Sequence, residues 1–328
     1  MGTILDPIYS TQYNKDKHYQ VHISNGMENS GISIILGTYN RKKFIQLTID
    51  SIRDEIARSD FPCEIIVVDG GSTDGTLPWL SEQGDIITII QHNRGTWRGK
   101  KIQRRSWGYF MNLGFKCAQY KYICMLSDDC LVVPNAIVNG YNLFEEKNKK
   151  GENIGAVAFY WRNWPDDEKF HVKCTIKDKM MVNHGLFLSE AIRSVNYIDE
   201  DSYKFYCADG DLALKLWNSG YIIIDSKNSL IEHYSHANIG VRESNTNYFK
   251  DDLKAKINKW NGVFYPLNSD LNGSEIKLDT LVDKEFAKKE FYRSGIDSNK
   301  NIIRIKTAFF NAFYYMKRII YSKIKGIS

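Results

Sequence analysis

The stretch Met125-Leu126-Ser127-Asp128-Asp129-Cys130-Leu131-Val132 sets two adjacent carboxylates at the end of an apolar run. Neighbouring carboxylates repel each other and resist desolvation, so an ionised pair needs solvent or a counter-charge. A divalent cation would serve, because Mg²⁺ and Mn²⁺ prefer carboxylate oxygens; an acidic turn is the plain alternative. Asp69 stands in a similar place, after the run Glu64-Ile65-Ile66-Val67-Val68 and before the glycine-rich segment 70–76. An acid there is suited to accept hydrogen bonds from a nucleobase or ribose. No GxxxxGK[ST] loop exists and no GxGxxG follows the first apolar run, so the usual ATPase and dinucleotide cradles are missing. The six cysteines show no CxxC spacing and read as reduced core or loop residues.

Elements that would position these acids follow in a regular order. Strands are expected at 32–37, 64–69, 86–90 and 121–126, and helices at 41–57, 75–83, 106–119 and 134–147. Continuous β-branched runs suggest strands covered on both faces, hence a parallel sheet in a doubly wound α/β layer. Ligands of such sheets bind outside the carboxyl ends of the strands. That rule brings Thr38-Tyr39-Asn40-Arg41, Asp69, Asn93-Arg94 and Asp128-Asp129 to one edge. Further on, 154–161 reads as a strand, 162–180 as a polar, aromatic loop region, 208–220 as a helix and 221–225 as a strand. From about 245 the chain reads as mostly helical, at 248–260, 281–292 and 302–325.

Composition is that of an ordinary globular chain, 43% hydrophobic and 25% charged. No basic patch precedes an apolar block at the N-terminus, and no run reaches the roughly 18 apolar residues of a membrane span; the cytoplasm is the expected location. The net charge is +5, but seven Lys or Arg and no acids follow Asp297, leaving 37 bases against 39 acids up to and including it. Such local basicity argues against a general nucleic-acid binder. The segment 302–325 mixes bases with Ile, Phe and Tyr, as helices on anionic membrane surfaces do. A helix packed on its own domain with a basic outer face fits equally. Oligomeric state is not legible.

Four blocks in order, Ile32-to-Arg41 "ISIILGTYNR", "EIIVVDGGSTDGT", "YICMLSDDCLVV" and "ADGDLALKLWNSGY", resemble the family 2 glycosyltransferases with the GT-A fold. The resemblance covers about residues 32–236. It implies a Rossmann-like, mostly parallel central sheet flanked by helices, here with a helical C-terminal extension. The expected division is an N-terminal extension (1–30), a GT-A domain (31–240) with a nucleotide-sugar half (31–130) and an acceptor half (131–240), and a mainly helical region (241–328). The implied activity is metal-dependent, inverting transfer of a sugar from a nucleotide-diphosphate donor to a hydroxyl, in surface polysaccharide or glycolipid synthesis. By resemblance Thr38, Tyr39, Asn40 and Asp69 lie against the nucleotide. Asp128 faces the ribose or sugar, and Asp129 binds Mn²⁺ or Mg²⁺. Asp209 matches the catalytic base, with Asp211 as the other candidate because Ala208 replaces the usual preceding glutamate. Asp199 and Glu200 resemble an acidic pair that shapes the acceptor site.

Some residues invite two readings. His233 and His236 follow the last expected strand; His233 is the preferred extra metal ligand, against a surface-loop histidine. The run 94–105 holds six bases, of which Arg94, Arg98, Lys100 and Arg104 could contact donor phosphates or form a solvated face. Trp161, Trp164 and His171 could stack an acceptor sugar or simply pack. The rival functions are a sugar-phosphate nucleotidyltransferase and a non-catalytic carbohydrate- or nucleic-acid-binding protein on the same fold.

Overall fold

The computed structural model describes residues 30–234 and 245–296. Residues 1–29 of the expected N-terminal extension, His236 and the basic segment 302–325 lie outside them. The first half runs β1 (Ile32–Thr38), α1 (Lys42–Ile56), β2 (Cys63–Asp69), α2 (Thr76–Ser81), β3 (Ile86–Ile90). A short hairpin, β4 (Thr96–Trp97) and β5 (Lys100–Lys101), precedes α3 (Trp107–Cys117), β6 (Tyr122–Ser127), β7 (Cys130–Val132) and α4 (Ala136–Lys149). The second half is β8 (Ile154–Trp164), β9 (His171–Ile176), β10 (Lys179–Met180), β11 (Gly185–Leu188), α5 (Ser189–Ser194) and α6 (Ala208–Asn218). It continues with β12 (Ile222–Tyr234), α7 (Phe249–Trp260), β13 (Glu275–Lys277) and α8 (Glu285–Arg293).

β1 is central and pairs in parallel with β2 and β6, while β3 extends the layer beyond β2. Its consecutive apolar side chains are all buried because helices cover both faces. Ile34 packs toward α1 with Ile45, Ile49 and Ile52, and Ile35 packs toward α3 with Met111 and Phe115. Register brings the strand ends level: Thr38 lies opposite Asp69, and Gly37 opposite Ser127. The expected GT-A layer is thus parallel in the nucleotide half. β11 joins β6 antiparallel, and β8, β9 and β10 complete the sheet beyond it.

Three expectations are corrected. Residues 162–180 are not a single loop region, because β8 runs on to Trp164 and, after a turn, β9 and β10 follow. Arg162 hid this continuity. It is fully buried, stacked over Phe170 (4.2 Å) and bound to Glu232 at 2.9 Å through Nε and 2.6 Å through Nη2. β12 likewise runs to Tyr234 instead of ending at 225; in its polar middle Lys227 and Asn228 are exposed while the buried Ser226 and Ser229 hydroxyls meet at 2.8 Å. The region after 245 is not all helix: β13 pairs with β9, and Arg162 donates to the carbonyls of Val282 and Asp283. No helix among the described residues is long and apolar enough to cross a membrane.

Candidate functional site

The turn between β6 and β7 carries Asp128 and Asp129, which are 3% and 6% exposed. Burial of this degree requires partners. Thr38 Oγ1 donates to Asp128 Oδ2 at 2.7 Å. Arg41 Nη1 donates to Asp128 Oδ1 at 2.6 Å and to Asp129 Oδ2 at 2.9 Å. The remaining oxygen, Asp129 Oδ1, lies 3.4 Å from His233 Nε2 and is buried without a hydrogen bond. His233 is set by β12, opposite Cys130 of β7 and Asn163 of β8, and its Nδ1 lies 3.1 Å from Asn163 Oδ1. Burial pushes both carboxyls upward. Against it, Arg41 with His233 and His184 holds Asp129 well below the ordinary carboxylate range, while Asp128 stays raised by burial despite Arg41. Buried His184, 3.8 Å from Cys130 Sγ, is pushed down to about 3 by burial and by His233, and is neutral.

Beside this corner lies a cavity of about 200 Å³. Its lining includes Thr38, Tyr39, Gly70, Arg94, Arg104 and Asp128. Asp69 closes the turn beneath it: Oδ1 accepts from the Gly71 and Ser72 N–H groups, both at 2.7 Å, and Oδ2 is buried without a partner. Gly71 has φ +87°, and a Cβ there would meet His92 Nδ1 at 2.5 Å, so the turn requires glycine. Arg94 lies over the Tyr39 ring (5.1 Å), and both Arg94 and Arg104 donate to Asn245 Oδ1.

Asp209 sits in the first turn of α6, its Oδ2 accepting from Asn183 Nδ2 at 3.1 Å. Asn183 lines the same cavity, so it connects Asp209 to the acid corner. Burial pushes the Asp209 carboxyl upward, against the Gly210 N–H and the charges of Lys256 and Lys173. A Cβ at Gly210 would meet Thr175 Oγ1 at 2.4 Å, so glycine permits this helix start to lie on β9.

Asp211 points elsewhere. It is fully buried and accepts from Tyr203 Oη (2.9 Å), Trp260 Nε1 (2.7 Å) and Lys259 Nζ (2.9 Å). With every approach taken by the fold, Asp211 is a structural residue rather than a base. Asp211→Ala should cost about 3 kcal/mol, since three donors lose their acceptor. Urea denaturation checks this, and an unchanged midpoint would refute it.

The other expected site residues divide. Asn40, at φ 53°, ties the first loop to the second: its N–H donates to Ser72 Oγ and its Oδ1 accepts from Thr73 N–H. Lys100 is exposed, on the β4–β5 hairpin, and Arg98 is in its turn; neither lines the cavity. Asp199 pairs with Lys259 and Glu200 with Asn112 and Lys116, so they brace α3 and α7 instead of facing the cavity. Trp164 is core, its ring 5.4 Å from Phe291 of α8. Trp161 does approach the acid corner, but its ring is covered by His171 (4.3 Å), His233 (5.6 Å) and Lys173 (4.9 Å). Arg41 stood in the first loop without an assigned role. Asn183 and Asn245 carried no sequence signal, since neither belongs to a periodic segment.

A divalent ion fits this corner. Among the described residues no group of three or more His, Cys, Asp or Glu side chains is assembled for metal. Asp129 Oδ1 and His233 Nε2 nevertheless face each other with the oxygen unpartnered, and ions of this class complete their shell with substrate phosphates and water. A mixed oxygen and imidazole set suits Mn²⁺.

Comparisons with known proteins bear on the family of this chain. Residues 33–194 match the family model described as Glycosyl transferase family 2. The poly(ribitol-phosphate) beta-N-acetylglucosaminyltransferase TarP of Staphylococcus aureus (strain N315) is 27% identical over 240 residues, 71% of this chain and 68% of TarP. The chondroitin synthase of Pasteurella multocida (strain Pm70) is 24% identical over 141 residues, 42% of this chain. The chain spans only 13% of that synthase and 14% of the Escherichia coli one. The solved structure of S. aureus TarS aligns with a TM-score of 0.49 at 15% identity, over 63% of this chain and 37% of TarS.

Proposed function

We propose that this chain, which is a glycosyltransferase of family 2, moves a sugar from a nucleotide-diphosphate donor to an acceptor hydroxyl, with a divalent ion and with inversion. The observation that carries the proposal is the meeting of Thr38, Arg41, Asp128, Asp129 and His233 at one corner, beside a cavity floored by the Asp69 turn.

In this reading the nucleotide lies over Tyr39 and the Asp69 turn, whose free Oδ2 accepts from the base or ribose. Asp129 and His233 would hold Mn²⁺ or Mg²⁺, which when bound neutralises charge developing on the departing diphosphate. Arg94 and Arg104 add positive charge at the same mouth. Asp209, brought near through Asn183, takes the acceptor proton as that oxygen attacks the anomeric carbon and the bond to the diphosphate oxygen breaks. A single base and a single displacement give inversion. The names of the relatives, a poly(ribitol-phosphate) beta-N-acetylglucosaminyltransferase and chondroitin synthases, support a surface polysaccharide or glycolipid as the acceptor. A cytoplasmic location, with the basic segment 302–325 at an anionic membrane face, is part of the same proposal and rests on its charge pattern.

The test is calorimetric titration of UDP, GDP, CDP and dTDP with and without Mn²⁺. One nucleotide should bind, and only with the metal. No binding of any of the four under either condition would overturn the proposal.

A further inference from the structure

Arg41 occupies an unusual position for a cation beside an expected metal site. It is the residue preceding α1, its carbonyl accepts from the N–H groups of Phe44 and Ile45, and its side chain reaches over the acid corner with 18% exposure. One nitrogen, Nη1, serves both carboxylates at 2.6 and 2.9 Å. With Thr38 on Asp128 Oδ2, three of the four carboxylate oxygens are engaged, and only Asp129 Oδ1 lacks a hydrogen bond. The acid pair therefore already has a resident counter-charge.

A divalent ion held by Asp129 Oδ1 and His233 would share one carboxylate with this guanidinium. Like charges that close together disfavour each other in a buried site. A diphosphate changes the balance, because it brings negative charge that both the ion and Arg41 can use, and Arg41 and Arg94 line the cavity it would enter. We infer that Arg41 is a built-in counter-ion that withholds the acid pair from free metal until a diphosphate enters, so that metal and nucleotide bind as a coupled pair. This rests on the donor-site reading above. Such coupling is reciprocal: the nucleotide must tighten metal by the same factor as metal tightens nucleotide.

The test is Mn²⁺ binding by the full chain, read from the electron paramagnetic resonance of free Mn²⁺, with and without saturating UDP, GDP, CDP or dTDP. Wild type should bind Mn²⁺ weakly alone and at least about tenfold more tightly with the nucleotide it accepts. Arg41→Gln should bind Mn²⁺ without nucleotide at least about tenfold more tightly than wild type, and the nucleotide effect should shrink. Equal or weaker Mn²⁺ binding by a folded Arg41→Gln overturns the inference while leaving the donor site standing. If circular dichroism shows that variant unfolded, wild type decides: Mn²⁺ bound equally with and without nucleotide overturns it. No Mn²⁺ binding by either protein under any condition removes the metal site and this inference together.

Discussion

Asp129→Asn should abolish metal-dependent nucleotide binding and lower kcat/KM by about 10³-fold or more, about 4 kcal/mol of transition-state stabilisation. An amide is a poor ligand for Mn²⁺, and its NH₂ cannot accept from Arg41. Stability should shift as well. Arg41, with His233 and His184, holds the Asp129 carboxyl below the ordinary range against burial, so its folded pKa lies below its unfolded one. A group of that kind adds stability above the unfolded value of about 3.9 and loses it as pH falls through the depressed folded value. The variant should therefore melt below wild type at neutral pH and converge with it in acid. Part of the loss is offset because Asp128 sheds a like-charged neighbour. Metal titration with thermal melts at several pH values checks both parts. Retained metal-dependent binding in the variant would remove Asp129 from the donor site.

Asp209→Asn should lower kcat by about 10² to 10⁴-fold while leaving nucleotide binding intact, because the amide cannot take the acceptor proton. Asp209 does not itself line the nucleotide cavity, which separates this outcome from that of Asp129→Asn. The wild-type rate should rise with pH as Asp209 loses its proton. Because burial raises this carboxyl, the acid limb should lie above the ordinary aspartate value of about 3.9. The linkage sign is opposite to that of Asp129. A folded pKa above the unfolded one means that the ionised carboxyl costs stability once pH exceeds it, so Asp209→Asn should melt no lower than wild type at pH 7. Asp211→Ala should do the reverse in stability, losing fold through its buried network. An undiminished rate in Asp209→Asn would exclude it as the base.

The alternation of helices with apolar runs at 32–37, 64–69, 86–90 and 121–126 was readable because strands covered on both faces leave unbroken β-branched stretches. The rule that ligands gather at strand carboxyl ends then placed Thr38, Asp69 and Asp128-Asp129 together, and register makes them level. Those acids were legible because a buried carboxylate pair is costly and seldom lacks a purpose.

What the sequence could not determine depends on partners distant along the chain. From the sequence β8 ends before Arg162 and β12 ends at 225, because Arg162 reads as a surface charge until its pairing with Glu232, 70 positions away, is seen, and because the polar run 226–229 interrupts β12. His233 reads from the sequence as either an extra metal ligand or a surface-loop residue, and β12 carries it to Asp129. Asp211 stands beside Asp209 as a candidate because Ala208 replaces the usual preceding glutamate, and the sequence alone does not separate the two. Tertiary structure gives them different surroundings: Tyr203, Lys259 and Trp260 converge on Asp211, while Asn183 bonds Asp209 and lines the cavity. Local pattern fixes which elements form, since it reflects which faces are buried. Which charges find partners depends largely on contacts between residues distant along the chain, and these exist only once the sheet has closed.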